Sequence, residues 1–250
     1  MNIEIWSDIA CPWCYIGKRR FERALVSFTH RDEVEVVWRS FELDPTARRS
    51  YPESQAERLA AKYRVPLDRA KEMDATMTAE AKKEGLDFRF DRVRVGNTFD
   101  AHRLIHFAAT EGRRDAMVER LFGAYLTDGE AIGEPEVLVR LATDVGLDAD
   151  ATREMLDSAA FTSAVRADEE RAHSFGVTGV PFFAIDERYG VSGAQPPEAL
   201  LDALRQAWSE TAESPSTSPG TSPGAATVAA SATSTTSAAL EECEDGSCAI

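Results

Sequence analysis

Strand patterns occur only near the two ends of the folded part of the chain, and this order restricts the fold more than any other sequence feature. Residues 1–8 alternate apolar and polar side chains, which is typical of a strand. Residues 12–28 carry apolar side chains every three to four positions, as an amphipathic helix does, and strand character returns in 34–41. A hairpin is predicted in 180–193, turning at 186–188, followed by a helix from Pro197 to Trp208. The sequence therefore predicts an α/β fold of order β-α-β and β-β-α, with a long interruption between the halves.

The interruption, residues 52–176, shows helical periodicity and no convincing strand. Helices are predicted at 53–64, 67–84, 98–110, 113–126, 136–145 and 151–175. Glycines stand where five of these helices should end, as C-cap glycines do: Gly85, Gly112, Gly129, Gly146 and Gly176. We assign the aromatic side chains of this block, Tyr125 among them, to its core, and the acidic run 168–170 to the solvated surface.

The chain has four cysteines, arranged as two pairs: Cys11 with Cys14, and Cys243 with Cys248. Four is too few for a disulfide-stapled secreted scaffold. Cys11 stands between the first strand and the first helix, with Pro12 at the first helical position, where a missing N–H costs nothing. A helix N-terminus favours a thiolate. We therefore predict that Cys11 is an exposed attacking thiolate and Cys14 the buried thiol that closes a disulfide with it.

A zinc site is the alternative interpretation of the first cysteine pair. Such a site needs four ligands, and the four histidines form no pattern that completes one near residue 11. His102 and His106 are spaced as a metal pair on one helix face, but no third ligand is evident. We predict no metal, and redox chemistry is favoured because the pair lies at a strand-to-helix junction.

Charge and hydropathy exclude several classes of partner. The formal net charge is −15, which argues against nucleic acid and anionic lipid because both select clustered Lys and Arg. The mean hydropathy is −0.32, and no apolar run approaches the ~20 residues of a membrane-spanning helix. Because the first strand leaves no room for a secretory signal, we expect a cytoplasmic protein with no membrane association.

The C-terminal part has a different composition. Residues 211–240 consist mainly of Ser, Thr and Ala, which cannot bury enough apolar surface to offset their ordering entropy, so a disordered linker is predicted. Residues 241–250 form an acidic tail that carries Cys243 and Cys248 in a C-x4-C spacing.

Four segments together resemble a known family. They are Ser7-Asp8-Ile9-Ala10-Cys11-Pro12-Trp13-Cys14-Tyr15-Ile16-Gly17-Lys18, Asn97-Thr98 with Ala101-His102-Arg103, Gly176-Val177-Thr178-Gly179-Val180-Pro181-Phe182-Phe183, and Val191-Ser192-Gly193-Ala194-Gln195. These segments are similar to the FrnE-like branch of the DsbA family of thiol-disulfide oxidoreductases, over about residues 1 to 210. The resemblance implies a thioredoxin-like fold with an inserted all-helical domain. Residues 1–51 and 177–210 would form the thioredoxin-like domain, and 52–176 the helical one.

The resemblance also implies an activity and a site. The activity is that of a cytoplasmic disulfide oxidoreductase or isomerase, with protein thiols and disulfides as partners, as a monomer or homodimer. No cofactor is expected beyond the redox-active disulfide, with glutathione or another low-molecular-weight thiol as co-substrate. Val180-Pro181 would be a cis peptide facing the cysteines, and a groove beside it would hold the substrate. The expected substrate-binding residues are Pro12, Trp13, Val180 and Pro181, and the site-lining residues are Asn97 and His102.

Two further hypotheses concern other classes of protein. A sister group, the 2-hydroxychromene-2-carboxylate isomerases and kappa-class glutathione transferases, has a serine where this chain has Cys11, which weakens that interpretation. The other alternative is a non-enzymatic interaction protein that uses its dithiols as a redox switch. For the tail, a flexible linker of about 29 residues spans roughly 30 Å. We therefore hypothesise that Cys243 and Cys248 relay oxidising equivalents to or from Cys11 and Cys14.

Overall fold

A computed structural model describes residues 1–212 and 226–227. The helices are α1 (Pro12–Val26), α2 (Gln55–Tyr63), α3 (Leu67–Lys83), α4 (Phe99–Thr110), α5 (Arg114–Gly123), α6 (Pro135–Asp144), α7 (Ala149–Asp157), α8 (Thr162–Ser174) and α9 (Pro197–Ala212). The strands are β1 (Asn2–Ser7), β2 (Glu35–Ser40), β3 (Phe182–Ile185), β4 (Tyr189–Ser192) and β5 (Ala226–Thr227). Short helical turns occur at Arg31–Glu33 and, in π geometry, at Ala124–Asp128. No helix within the described residues is long and apolar enough to cross a membrane.

The strands form one sheet in the order β2-β1-β3-β4-β5. β1 pairs parallel to β2, with Ile3 opposite Val36, and antiparallel to β3, with Ile3 opposite Ile185. β3 and β4 form the predicted antiparallel hairpin, and the two-residue β5 runs parallel to β4. β1 is an interior strand between β2 and β3, and Cys11 follows its carboxyl end by four residues.

The hairpin between β3 and β4 turns where the sequence predicts. Asp186 and Glu187 both have positive φ, 49° and 56°, the left-handed conformation that a tight hairpin turn requires. The Asn2 amide donates to the Asp186 carboxylate at 2.6 Å, so this turn is also tied to the start of β1.

The residues between β2 and β3 are helical, and the five glycines expected to end helices have positive φ. Apolar side chains from these helices and from the sheet belong to a single buried cluster. The core is therefore continuous across the sheet and the helical block.

One predicted helix is wrong. The sequence pattern indicates a single helix over 151–175, whereas the chain breaks between α7 and α8, and Phe161 has φ of 62°. The buried Arg103 side chain explains the break. Its guanidinium donates to the carbonyl oxygens of Met155, Ser158 and Ala160 at 2.6–2.8 Å, and these carbonyls stand at the end of α7. A buried cation that binds these orphan carbonyls stabilises the helix end, and periodicity alone does not reveal it.

The prediction that the acidic run 168–170 is solvated is wrong for Asp168, whose side chain is only 3% exposed, whereas Glu170 is exposed as expected. Its carboxylate accepts from the Ser40 amide and the Arg39 guanidinium, both at 2.9 Å, and lies 3.0 Å from His106 Nε2. The Trp6 indole donates to the Asp168 backbone carbonyl at 2.8 Å. Asp168 thus joins α8 to β1, β2 and α4.

The C-terminal expectations fall largely outside the described residues. α9 continues to Ala212, slightly beyond the predicted start of the linker. β5 is the only other described segment there, and Cys243 and Cys248 lie outside the described residues. The predicted linker, tail and two-domain division therefore stay predictions.

Candidate active site

Cys11 caps the N-terminus of α1. It has extended backbone angles (φ −88°, ψ 111°), and Pro12 takes the first helical position. The Cys11 amide donates to the Asp8 carbonyl at 3.0 Å, and the Cys14 amide donates to the Cys11 carbonyl at 3.1 Å. The two thiols therefore lie one helical turn apart at the end that carries unpaired N–H groups and partial positive charge, which favours a thiolate.

The prediction that Cys11 is exposed is wrong. Both cysteines are free thiols and both are buried, Cys11 being 0% and Cys14 1% exposed. The physical reason is the loop before β3: the Cys11 sulfur lies 3.6 Å from the carbonyl oxygen of Val180, to which its S–H donates. The sequence places Val180-Pro181 opposite the cysteine pair but does not show how closely that loop covers the sulfur.

The peptide bond between Val180 and Pro181 is cis, the geometry expected from the resemblance. Pro181 packs against α1 at Gly17: a Cβ added to Gly17 would lie 2.9 Å from Pro181 Cγ and 3.5 Å from the Ala194 side chain. The absence of a side chain at Gly17 allows the proline to approach the helix that carries both cysteines.

We expect Gly17→Ala to destabilise the protein. Alanine gains about 1 kcal/mol of helix propensity over glycine, but overpacking against a rigid proline ring costs about 1–3 kcal/mol. The expected net effect is a loss of up to about 2 kcal/mol in the free energy of unfolding, measured by urea denaturation. Gly123→Ala in α5 is the matched control, because a Cβ there meets nothing within 4 Å. Equal stability of the two variants would contradict the close contact with Pro181.

The two thiols differ in their electrostatic surroundings. Burial raises the pKa of Cys14 well above its ordinary value, and the neighbouring Cys11 sulfur raises it further. A hydrogen bond from the Asp8 backbone acts in the opposite direction but does not reverse the shift. Cys14 is therefore held as a buried thiol beside Cys11 at the helix cap, while the catalytic roles of the two cysteines stay predictions.

His102 and Asp8 form a buried polar pair near the cysteines. His102 is 1% and Asp8 2% exposed, and His102 Nε2 lies 3.4 Å from Asp8 Oδ1. Burial lowers the pKa of His102, but the Asp8 carboxylate outweighs it, so the pKa is raised. Asp8 also accepts from the amides of Ala10 at 3.2 Å and Leu43 at 2.8 Å, which fixes the loop between β1 and α1. His102 thus supports, through Asp8, the loop that precedes Cys11. The sequence does not predict this role of Asp8.

The other predicted site residues have different surroundings. Asn97 caps α4 by accepting from the Phe99 amide at 2.8 Å, and its amide group donates to the Ala47 carbonyl at 3.3 Å. None of these hydrogen bonds reaches a cysteine. Pro12, Val180 and Pro181 are buried, whereas Trp13 is partly exposed. The Trp13 indole N–H is buried without a hydrogen-bond partner in the described part of the chain.

A cavity of about 550 Å³ lies beside the loop that precedes Cys11, although neither cysteine lines it. Asp8 and Ala10, from the loop before Cys11, form one wall, and side chains of α2 form another. Lys62 of α2 belongs to this wall; burial lowers its pKa, while Asp44 and Cys11 raise it. The cavity is distinct from the groove expected at Val180-Pro181. Sequence reasoning misses its residues because they become neighbours only through the packing of α2 over the β1–α1 loop.

Within the described residues, no group of three or more His, Cys, Asp or Glu side chains is placed to hold a metal ion. His106, the partner of His102 in the considered metal pair, instead lies 3.2 Å from the Ser40 hydroxyl and beside Asp168.

Comparisons with known proteins agree with this geometry. The chain is 48% identical to a probable DsbA oxidoreductase, SCO1869 from Streptomyces coelicolor, whose solved structure superposes with a TM-score of 0.81 over 84% of this chain and 91% of that one. It is 28% identical over 189 residues to the uncharacterized protein YwbO of Bacillus subtilis, covering 75% of this chain and 88% of YwbO. The cytosolic disulfide reductase DsbM of Pseudomonas aeruginosa shares the fold, with 17% identity and a TM-score of 0.59 over 84% of this chain and all of DsbM.

The sequence model of the DSBA-like thioredoxin domain matches residues 2–205, which is most of the chain. The predicted α/β, thioredoxin-like fold of the DsbA type is confirmed, while assignment to the FrnE-like branch stays a prediction. The chain belongs to the family of DSBA-like thioredoxin domains.

Proposed function

We propose that the protein is a thiol-disulfide oxidoreductase that uses Cys11 and Cys14 as its redox pair. The observation that carries this proposal is the placement of two free thiols at the N-terminus of α1, with Cys11 at the helix cap and the Val180 carbonyl 3.6 Å from its sulfur. The membership in an oxidoreductase family supports it.

The proposed reaction proceeds by two exchanges. The Cys11 thiolate attacks a substrate disulfide, forming a mixed disulfide and releasing one substrate sulfur as a thiolate, which takes a proton from water. Cys14 then loses its proton and attacks the Cys11 sulfur, which closes the Cys11–Cys14 disulfide and releases the second substrate thiol. Two electrons pass from the protein to the substrate, and the reverse sequence oxidises a substrate dithiol.

Proposed substrates are protein thiols and disulfides, together with low-molecular-weight thiols. Trp13 is partly exposed beside the cysteines, and its indole N–H, buried without a partner among the described residues, would donate to a substrate carbonyl once the site opens. Pro12, Val180 and Pro181 would shape the same contact. Because Cys11 is 0% exposed, a protein substrate requires a local opening around the sulfur. We propose a cytoplasmic setting, where such a pair exchanges with soluble thiols.

The tail pair is proposed as an auxiliary dithiol. A flexible tether of about 29 residues reaches roughly 30 Å, and tethering makes the encounter of Cys243 or Cys248 with Cys11 intramolecular. Replacement of both tail cysteines by serine would then change the redox state and turnover of the first pair.

A Cys14→Ser variant tests the proposed function. Since the second exchange is removed, we expect Cys11 to accumulate as a mixed disulfide with scrambled ribonuclease or reduced-and-reoxidised cell proteins, while wild-type protein accumulates little. Peptide mapping by mass spectrometry assigns the cross-link to Cys11 rather than to the tail cysteines. The Cys11→Ser/Cys14→Ser double variant is the control and should trap nothing at this site. Absence of mixed disulfides at Cys11 would exclude the mechanism.

A further inference from the structure

The cavity beside the loop that precedes Cys11 contains polar side chains with no assigned role. Tyr125, in the π turn after α5, is 3% exposed, and Thr98, before α4, is 5% exposed. Both line the cavity. Within the described residues, neither hydroxyl has a hydrogen-bond partner, and neither hydroxyl oxygen is completely buried. Two largely buried hydroxyls thus open into the cavity and are available to a ligand.

Arg58 supplies a cation to the same cavity. It lies half-buried on α2, and its guanidinium stacks on the Tyr51 ring at 3.4 Å from the ring centroid. In the described part of the chain, Arg58 forms no ion pair with a carboxylate, although most of the arginines do. Stacking on the Tyr51 ring holds the planar guanidinium group in one orientation and leaves its N–H groups free to donate. Such a preorganised guanidinium binds a carboxylate in bidentate fashion.

Most acidic side chains in the cavity wall already have donors of their own. Asp8 accepts from the Ala10 and Leu43 amides. Glu57 accepts from the Ser54 amide and hydroxyl in the capping box of α2, and Asp44 accepts from the Thr46 amide and hydroxyl. Glu53 is exposed at the rim. Among the described lining residues, the Arg58 guanidinium and the Tyr125 and Thr98 hydroxyls can all donate, which favours a ligand that carries acceptor oxygens and negative charge.

We propose that this cavity binds the carboxylate end of a low-molecular-weight disulfide whose sulfur atoms lie at Cys11. Arg58 would hold the carboxylate, and the Tyr125 and Thr98 hydroxyls would donate to its oxygens. The volume of about 550 Å³ is that of a small-molecule site. This inference rests on the proposed function, which it deepens by naming the class of small substrate.

The reaction at this subsite is an ordinary thiol-disulfide exchange. The Cys11 thiolate forms a bond to one sulfur of the small disulfide, the disulfide bond breaks, and a carboxylate-bearing thiolate leaves and is protonated by water. Cys14 then gives up its proton and displaces the second small thiol. One disulfide is reduced to two thiols, and the Cys11–Cys14 pair is oxidised.

The test compares three small disulfides of similar size and different charge: dithiodipropionate, hydroxyethyl disulfide and cystamine. The rate of mixed-disulfide formation at Cys11 is measured by mass spectrometry on the full chain carrying Cys14→Ser. We expect dithiodipropionate to react about tenfold faster than hydroxyethyl disulfide, since hydrogen bonds to an ionised group are roughly twice as strong as those between neutral groups. Cystamine should react no faster than the neutral probe.

Arg58→Gln should bring the ratio of anionic to neutral rates close to one, mainly by lowering the anionic rate. Arg69→Gln is the matched control, because it removes the same charge from a surface arginine of α3 that pairs with Glu72. Tyr125→Phe, which keeps the ring, should lower the ratio by a smaller factor. It provides the test if Arg58→Gln does not fold.

The outcomes separate the subsite from the catalytic pair. Equal rates for all three probes, or an equal change of all three in Arg58→Gln, overturn the carboxylate subsite and leave the exchange reaction standing. No reaction of Cys11 with any disulfide would contradict the proposed function itself.

Discussion

Replacing Cys11 by serine is expected to abolish disulfide turnover, with a fall in kcat/KM of about 10³-fold or more, because a serine hydroxyl neither ionises near neutral pH nor forms a disulfide. Cys14 cannot substitute for it. Burial raises the pKa of Cys14 well above the ordinary value, so it is held as a thiol, and it lies inside α1 rather than at the helix cap. Reduction of insulin by dithiothreitol, followed by turbidity, measures the effect.

The same variant discriminates between the classes of function. A glutathione-type isomerase or transferase of the sister group has a serine at this position, so small-molecule turnover that survives in Cys11→Ser would favour that group. A redox switch without catalysis would show no turnover in the wild-type protein beyond one equivalent of substrate. Multiple turnovers in wild-type protein, lost in Cys11→Ser and retained in Gly123→Ala, match the oxidoreductase account.

Asp168→Ala is expected to cost about 3–5 kcal/mol in the free energy of unfolding, the usual effect of removing one partner from a buried charge network. Its carboxylate, 3% exposed, is held by Arg39, the Ser40 amide and His106. The Trp6 contact uses the Asp168 backbone carbonyl and should survive. Asp150→Ala is the control: that side chain is 95% exposed, and its loss should cost less than about 1 kcal/mol. Comparable losses in the two variants would contradict the buried network.

The contribution of Asp168 should depend on pH in a defined direction. Burial alone would raise its pKa, but the hydrogen bonds from His106 and Ser40 hold it below the ordinary value of 3.8. A lowered carboxyl pKa means that the stabilisation is complete above that ordinary value and is lost as the pH falls through the lower folded value. Urea unfolding should therefore show a large difference between wild type and Asp168→Ala at pH 7 and a smaller one below about pH 3. A difference that grows in acid would have the wrong sign.

Local patterns predict the elements and the redox pair. The placement of Cys11 at the end of β1, Pro12 at the start of α1 and Pro181 at the head of β3 follows from periodicity and backbone chemistry that each segment carries by itself. The hairpin turn at Asp186 and Glu187 and the C-terminal glycines of the helices are predictable for the same reason.

The features that the sequence does not predict depend on side chains from distant segments. Arg103 breaks the predicted helix over 151–175 by binding its carbonyl oxygens from α4. Asp168 is part of an acidic run but is buried by Arg39 and His106. Arg58 and Tyr125 line the same cavity only because α2 packs over it. The sequence carries a local signal for two neighbouring features: Ser54 and Glu57 mark the start of α2, which carries Arg58, as a capping box, and Asp8 directly follows β1.

The central claim is that Cys11 and Cys14 form one reversible redox couple, and its most direct test is equilibration of the full chain in a series of thiol-disulfide buffers. Alkylation and mass spectrometry then measure the fraction of molecules that carry the Cys11–Cys14 disulfide at each potential. We expect a single two-electron transition with a midpoint between about −270 and −120 mV, the range of dithiol oxidoreductases. Cysteines that remain as two thiols across that whole range, or that pair with Cys243 or Cys248 and never with each other, would contradict it.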